Sequence, residues 1–192
     1  MNFIKIKRYI LSLFKLLGYK ILYGKNLKIH HTRGSKLPFF GKGSRILLDK
    51  GSKLIISDND YFDDYVYLSS RDGGYLEIKP NVYINTFGKI YCIDHIEIGE
   101  NSIMGSNISI YDHNHRQKGE VGSVKRSMEK GSTVVQNNCW LGANAILLMG
   151  GKLPANSILG AGAVLNKVGT EPGTYVGMPA KLIKSTQNIE RE

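Results

Sequence analysis

The sequence predicts an all-β chain folded as a parallel β-helix, because an aliphatic side chain recurs at every sixth position. The clearest series runs without interruption through the second half of the chain: Val135, Leu141, Leu147, Leu153, Leu159 and Leu165. A period of six fits neither the 3.6-residue turn of an α-helix nor the two-residue alternation of a strand. It is typical of a coil with three flat sides of about six residues each, in which one aliphatic residue per side points to the axis.

Two further observations support this fold class. A small residue follows four positions after most of these aliphatic residues, where the chain would turn a tight corner: Ala145, Gly151, Ser157 and Ala163. The same period occurs upstream in two overlapping series: Ile84, Ile90 and Ile96, and Ile98, Met104 and Ile110. The alternating strands of a β-sandwich are the alternative, but they have no reason to keep a six-residue phase over successive turns.

The length and composition indicate one folded domain. The 192 residues are enough to bury a core, and 22 glycines with only 5 prolines suit a turn-rich β structure. Cys92 and Cys139 are too few for a disulfide framework, so we expect two reduced thiols in the interior. The apolar N-terminal stretch is interrupted by basic residues and lacks a small-residue cleavage site. We therefore expect neither a signal peptide nor a transmembrane span.

The positive charge is concentrated at the N-terminus. No Asp or Glu occurs before Asp49, and residues 1–48 contain eleven of the 26 Lys and Arg residues. The other 15 are balanced by the 16 acidic residues, so the net charge of +10 belongs to the first quarter of the chain.

Residues 3–22 are predicted to form an amphipathic helix. Its apolar residues recur at three- and four-residue steps: Phe3, Ile6, Ile10, Leu13, Phe14, Leu17 and Ile21. Lys5, Arg8 and Lys15 lie on the opposite side. Such a helix suits the surface of an anionic membrane. Alternatively, its apolar face packs on the base of the β-helix or on a neighbouring subunit. Nucleic acid is not expected as a partner, because the basic residues are not interleaved with exposed polar side chains that could contact bases.

We divide the chain into three parts. Residues 1–40 form the basic helix and an arm, residues 41–170 the β-helix, and residues 171–192 a C-terminal tail. The β-helix has irregular first coils between Ile46 and Ile78, and a loop at residues 111–133 interrupts its period. Four aspartates in the irregular part lack the Gly and Glu of a calcium loop, so we expect a solvated turn there: Asp58, Asp60, Asp63 and Asp64.

The loop at residues 111–133 begins with two candidate proton acceptors. An excursion from a stack of repeats is where such proteins usually carry their function, and imidazole accepts protons near neutral pH. In an extended segment His113 and His115 point to one side and Asp112 to the other, so Asp112 would contact His113 only if the strand bends. The alternative is that both histidines are solvent-exposed loop residues.

Several motifs together resemble one family of enzymes. They are the hexapeptide tracts, Asp112-His113-Asn114-His115, Trp140-Leu141-Gly142, Leu159-Gly160-Ala161-Gly162 and Val176-Gly177-Met178-Pro179-Ala180. The chain resembles the left-handed β-helix O-acetyltransferases, most closely those of capsule and lipopolysaccharide assembly, and is similar to galactoside and maltose acetyltransferases. The resemblance covers roughly residues 78–184. It implies a left-handed parallel β-helix that forms homotrimers, with acetyl-CoA in the groove between adjacent subunits and no metal.

The resemblance also implies roles for particular residues. The catalytic histidine falls on His113, with His115 as a second candidate, and the acceptor pocket falls on Tyr83, Asn85 and Met128. The implied cofactor-binding positions are Trp140, Gly142, Ala143, Ala161, Asn166, Lys167, Lys181 and Lys184. The last two lysines would meet the phosphates of the cofactor as point charges, where relatives often have Arg. Asn166 stands where the family usually has Thr.

The sequence therefore predicts an acetyl-CoA-dependent O-acetyltransferase that acts on a sugar hydroxyl of a bacterial surface polysaccharide or its precursor. The flat Gly142–Ala143 segment would bring the thioester beside a backbone amide in a ternary complex. N-acetylation of a nucleotide-linked amino sugar is the closest alternative. Two other classes are a carbonic anhydrase using His95, His113 and His115, and a non-catalytic membrane-associated scaffold. We expect a cytoplasmic protein, peripheral on the inner face of the membrane.

Overall fold

The computed structural model describes residues 3–116 and 128–186. Within the predicted loop at 111–133, residues 117–127 lie outside the described residues, as do 1–2 and 187–192. One α-helix, α1 (Phe3–Tyr23), is followed by a short 3₁₀ turn (Gly24–Asn26). The strands are β1 (Leu27–Ile29), β2 (Phe39–Phe40), β3 (Arg45–Leu48), β4 (Lys53–Ile56), β5 (Tyr61–Phe62), β6 (Tyr67–Ser70), β7 (Tyr75–Ile78), β8 (Tyr83–Ile84), β9 (Lys89–Cys92), β10 (His95–Ile98), β11 (Ile103–Met104), β12 (Ser109–Tyr111), β13 (His113–His115), β14 (Met128–Lys130), β15 (Thr133–Val135), β16 (Trp140–Leu141), β17 (Ile146–Leu147), β18 (Lys152–Leu153), β19 (Ile158–Leu159), β20 (Val164–Leu165), β21 (Gly173–Gly177) and β22 (Ala180–Ser185).

Three sheets form the walls of a parallel β-helix, and each coil contributes one short strand to each sheet. Sheet A has the order β1-β4-β7-β10-β15-β18, sheet B β2-β5-β8-β11-β16-β19-β21-β22, and sheet C β20-β17-β12-β9-β6-β3. Neighbouring strands in these coils pair in parallel, which excludes the β-sandwich alternative. The first strand begins at Leu27, and the last coil is closed by β21 and β22, which pair antiparallel.

The six-residue period marks the core, as predicted. The aliphatic residues of the series in the second half are at most 1% exposed, and those of the upstream series are fully buried. The small corner residues Ala145, Ser157 and Ala163 are buried as well. Both thiols lie in the interior as free cysteines, Cys92 and Cys139. Burial raises the pKa of Cys139 to about 11 and that of Cys92 further.

Asparagines line one corner of the coils, between sheets A and B. Their backbones have positive φ angles, a conformation that Asn tolerates better than most residues: Asn59, Asn81, Asn101, Asn138 and Asn156. The side-chain amides form a ladder in which each Nδ2 donates to the Oδ1 of the next residue, at 2.8 to 3.3 Å. The ladder satisfies polar groups along a corner where the chain reverses in every coil.

Helix α1 packs against the first coil through polar side chains and through Leu16, which is buried in the core. Arg8 donates to the carboxylates of Asp63 at 3.2 Å and Asp64 at 2.7 Å, and Lys15 donates to the Gly41 carbonyl at 2.5 Å. Ser12 accepts a hydrogen bond from the backbone amide of Phe40. The expectation of a solvated turn at the four aspartates is therefore wrong. Two of these side chains bind the helix, and the other two, Asp58 and Asp60, are buried.

The apolar side of α1 points away from its own β-helix. Phe3, Phe14 and Ile21 are 79%, 67% and 76% exposed, and Ile10 and Leu17 are exposed as well. Within one chain, most of the predicted apolar face is thus exposed, whereas Leu16 beside it is buried against the β-helix. No helix in the described part of the chain is both long and apolar enough to cross a membrane.

Candidate active site

The chain leaves the coils at the end of β12, a strand in the interior of sheet C. It bends at Asp112 and continues as the antiparallel hairpin of β13 and β14, in which His113 faces Lys130 and His115 faces Met128. Lys130 anchors the returning strand, because its ammonium group donates to the carbonyls of Ile93 at 2.9 Å and Asp72 at 3.2 Å. The excursion thus returns to the coils beside its point of departure.

The bend at Asp112 brings its carboxylate to His113. Asp112 is fully buried, and its carboxylate accepts hydrogen bonds from the backbone amides of Ile93 at 3.0 Å and Asp94 at 2.8 Å. One carboxylate oxygen lies 2.9 Å from Nδ1 of His113. The carboxylate oxygen is a hydrogen-bond acceptor, which favours the His113 tautomer with its proton on Nδ1. Nε2 is then the ring nitrogen that can accept a proton.

His113, His115 and Met128 line one cavity of about 470 Å³. The side chain of His113 is 15% exposed, whereas His115 is largely exposed. The other residues of the cavity come from sheet C and the corner after it: Tyr67, Ser69, Arg71, Asp72, Tyr91, Cys92 and Ile93. The structure therefore brings together both candidate histidines and the predicted methionine.

Tyr83 and Asn85, the other predicted acceptor residues, lie elsewhere. Tyr83 belongs to sheet B, where its ring stacks on Tyr61 with centroids 5.3 Å apart and its hydroxyl lies 3.4 Å from the Asp63 carboxylate. Asn85 follows Tyr83 at the corner between sheets B and C. Neither residue lines the cavity at His113. Within one chain, the predicted acceptor site is thus divided between two faces.

The predicted cofactor positions lie on sheet B and beside the ends of the sheet C strands in the last coils. Trp140 is 53% exposed on β16, and Gly142, Ala143 and Ala161 form the corner between sheets B and C. A Cβ at Gly142 would lie 2.5 Å from the Ala161 amide nitrogen, so only glycine fits between the stacked corners. The remaining positions lie after β20 and on β22: Asn166, Lys167, Lys181 and Lys184.

Only one of the two amides in the Gly142–Ala143 segment can meet a ligand. The Gly142 amide donates to the Leu159 carbonyl at 2.7 Å in the next coil. Among the described residues, no acceptor faces the Ala143 amide. The flat corner and the lysines of β22 are compatible with a long phosphorylated ligand, since they offer a small surface, an open donor and positive charge.

Sequence reasoning missed the tyrosines and the arginine of the cavity. Tyr91 stacks on Tyr111 with ring centroids 5.2 Å apart, and Arg71 lines the same cavity as the two histidines. The outward positions of Tyr67 and Tyr91 follow from the two-residue alternation of β6 and β9, but the sequence does not reveal which sheet borders the loop. His95 lies on sheet A, stacked on Tyr75. In the described ranges, no three His, Cys, Asp or Glu side chains are grouped as metal ligands would be.

Curated proteins with similar sequences are acetyltransferases by name. The chain is 28% identical over 119 residues to WbbJ of Escherichia coli K12, named for lipopolysaccharide biosynthesis O-acetyl transfer, a match covering 58% of this chain and 61% of WbbJ. It is 24% identical to the galactoside O-acetyltransferase of the same strain over 90% of this chain and 82% of that enzyme. The chain thus spans less than two thirds of WbbJ. No protein-family model matches the chain.

Solved structures with the same fold include three acyltransferases. The polysialic acid O-acetyltransferase OatWY has a TM-score of 0.57 and 20% identity, over 87% of this chain and 89% of that chain. VCA0836 from Vibrio cholerae O1 biovar eltor, complexed with acetyl coenzyme A, has a TM-score of 0.59 and 16% identity, over 92% of this chain and 80% of that chain. A variant of the N-acyltransferase AntD from Bacillus cereus, with dTDP and coenzyme A, has a TM-score of 0.64 and 16% identity, over 88% of this chain and 89% of that chain. These similarities confirm the left-handed parallel β-helix. The chain therefore shares its fold with these acyltransferases and is similar in sequence to the curated acetyltransferases.

Proposed function

We propose that this protein is an acetyl-CoA-dependent O-acetyltransferase that modifies a sugar hydroxyl of a bacterial surface polysaccharide or its precursor. The observation that carries the proposal is the contact between the buried Asp112 carboxylate and His113 at the wall of a cavity. The names of WbbJ and OatWY support a glycan acceptor, and the acetyl-CoA complex of VCA0836 supports the donor.

His113 is the proposed general base. With Nδ1 held by Asp112, Nε2 takes the proton of the sugar hydroxyl as its oxygen attacks the carbonyl carbon of the acetyl thioester. The C–S bond then breaks, and the proton passes to the departing sulfur of coenzyme A. The Ala143 amide is the candidate donor to the oxyanion, because its partner Gly142 is already bonded. A ternary complex needs no covalent enzyme intermediate, and both cysteines are buried.

A homotrimer is part of the proposal. His113 and the residues Tyr83 and Asn85 lie on different faces of one chain, so a second copy must supply one set if all three act on the same acceptor. A groove between two β-helices would also enclose acetyl-CoA more fully than one exposed corner. Light scattering should give about three times the chain mass of 21.4 kDa. An active monomer would contradict this arrangement.

The test of the activity is transfer of radiolabelled acetyl from acetyl-CoA to sugars, nucleotide sugars and lipid-linked oligosaccharides. We expect alkali-labile ester product, with His113→Ala reducing kcat by about 10²–10⁴-fold and leaving acetyl-CoA binding unchanged. His115→Ala is the matched control, and a severe loss there with a normal His113→Ala would reassign the base. An alkali-stable amide on an amino sugar would instead indicate N-acetylation, the reaction type for which AntD is named.

The proposed location is the inner surface of an anionic membrane, bound through α1. The helix is held to its own chain by Arg8, Ser12 and Leu16, so its exposed apolar side is free to enter the lipid headgroup region. The exposed Lys5 and Lys7 near its start add attraction to anionic lipid, about 1 kcal/mol each and reduced by salt. Such contact would place the enzyme beside a lipid-linked acceptor.

Co-sedimentation with vesicles tests this location. We expect the intact protein to bind vesicles containing phosphatidylglycerol, and Phe14→Gln combined with Leu17→Gln to weaken binding at least tenfold. Ile103→Gln is the matched control, since Ile103 is 52% exposed on sheet B. Equal sedimentation of all three proteins would show that the apolar side of α1 does not bind lipid.

A further inference from the structure

An exposed aromatic pair occupies the corner between sheets B and C in the first coils. Tyr65 and Phe87 are 45% and 50% exposed, and their rings stack with centroids 5.2 Å apart and planes 6° from parallel. Both backbones have positive φ angles, 61° and 62°. Aromatic residues rarely adopt this conformation, which costs a residue with a Cβ roughly 1–2 kcal/mol.

The same corner in the other coils holds residues better suited to it. The equivalent positions are Gly43 before the pair, and Asn107, Asn144 and Gly162 after it. A Cβ at Gly43 would lie 2.4 Å from the Tyr65 ring, so the glycine leaves room for that ring to lie across the corner. The strained aromatic residues therefore occur only at two adjacent corners, and the fold itself does not need them there. Strain that the fold does not require points to a binding role.

The aromatic pair borders a groove along sheet C, which we call the aromatic groove. It has a volume of about 510 Å³, and its lining residues are Gly43, Arg45, Ile46, Leu47, Tyr65, Tyr67, Phe87, Lys89 and Tyr91. Tyr67 and Tyr91 also line the cavity that contains His113. The two depressions thus adjoin at these tyrosines, along the path that an extended ligand would take from the candidate base across the earlier coils. Three coil steps from β12 to β3 correspond to about 14 Å.

The chemistry of the groove suits a negatively charged glycan. A sugar ring has a flat face of C–H bonds that packs on an aromatic face while its hydroxyls remain hydrated. Arg45 lies over the Tyr67 ring at 5.2 Å, and Lys89 stands on the next strand. The residues that line the groove include these two cations and no carboxylate. A purely apolar partner surface would leave both cations without counter-charges.

We propose that the aromatic groove binds the internal sugar units of an extended anionic glycan whose terminal acceptor hydroxyl reaches His113. This inference rests on the proposed function for its reaction, but the binding itself does not depend on catalysis. It implies that the preferred acceptor is an oligosaccharide with carboxylate or phosphate groups rather than a free monosaccharide. Tyr65 and Phe87 then contribute affinity that grows with acceptor length.

The test combines Tyr65→Asn with Phe87→Asn, because asparagine occupies the same corner in two later coils and tolerates the backbone conformation. The control is Asn107→Gly, which removes a side chain of the same column outside the groove. Calorimetry measures binding of oligosialic acid and hyaluronan fragments of increasing length, with malto-oligosaccharides as neutral counterparts. Acetyl transfer to the corresponding monosaccharides is measured in parallel.

We expect affinity of the intact protein to rise with length for at least one anionic series, and the double variant to bind the long fragments about tenfold more weakly. Monosaccharide turnover and the control should be unchanged. Length-independent binding, or an equal loss for short and long fragments, would overturn the inference. So would a smaller particle mass for the double variant, since the groove would then be covered by another copy. Glycan binding without acetyl transfer would contradict only the proposed reaction.

Discussion

The substitution Asp112→Asn tests the site most sharply, because it replaces one oxygen by an NH₂ group and changes almost no volume. The Asp112 carboxylate accepts from the backbone amides of Ile93 and Asp94 and lies 2.9 Å from Nδ1 of His113. A carboxamide has one acceptor atom in place of two. If its oxygen stays with the backbone amides, its NH₂ group faces Nδ1. The His113 ring must then carry its proton on Nε2, the nitrogen required as the base.

The expected effect on catalysis is therefore close to that of removing the base. A positioned general base contributes about 10²–10⁴-fold, so we expect kcat to fall by that factor while acetyl-CoA binding is retained. Stability should fall by about 1–3 kcal/mol, because a neutral amide oxygen is a weaker acceptor for the two backbone amides than a carboxylate in this fully buried site. For a chain of this length the loss corresponds to a decrease in Tm of roughly 3–10 °C.

The assay is steady-state acetyl transfer well below the Tm of each variant, for Asp112→Asn, His113→Ala and the double variant. If Asp112 acts through His113, the double variant is no slower than His113→Ala. If the fold-losses in kcat of the two single variants multiply in the double variant, Asp112 has a role independent of His113. Wild-type kcat in a folded Asp112→Asn protein would refute the orientation of His113 described here.

Three further outcomes follow from the coils. Asn101→Ala should lower Tm by several degrees in thermal unfolding, and Asn101→Gly should lower it by less. Both variants lose the hydrogen bonds of the ladder, but only glycine adopts the positive φ angle without strain. Equal losses would mean that the backbone conformation is unimportant. Although burial opposes it, hydrogen bonds from Ser35, Thr32 and His31 lower the pKa of Asp58 from 3.8 to about 2. Ionised Asp58 stabilises the fold above about pH 4, and this stabilisation is lost as pH falls towards 2. The difference in unfolding free energy between the wild type and Asp58→Asn, measured by urea titration, should therefore shrink over that interval. Because the pKa values of both buried cysteines are raised, a thiol reagent should label them only after denaturation, and rapid labelling at neutral pH would contradict that burial.

The sequence predicts the coils well and the contacts of the loop less well. A single aliphatic residue points inward from each side, so the six-residue period is visible without an alignment, as at Leu141 and Leu159. Alternation alone directs the Asp112 side chain away from His113, so the sequence does not determine the bend there. The amphipathic pattern of α1 predicts that its charged side faces solvent or lipid. Its partners, Asp63 and Asp64, lie more than fifty residues away, and no local pattern connects them with Arg8.

The irregular first coils are the part of the repeat that shapes the proposed acceptor surface. From one coil to the next, paired core residues are 22 positions apart at Leu54 and Leu76 and 20 apart at Leu76 and Ile96, but 18 apart at Val135 and Leu153. Sheet C is correspondingly wider in the early coils, where its strands have four residues in place of two. The added residues place Tyr91 and the corner after it beside the hairpin that carries His113. The loss of the six-residue period in the first half therefore reflects a wider face that borders the site, whereas the later coils keep the shortest repeat that closes three sides.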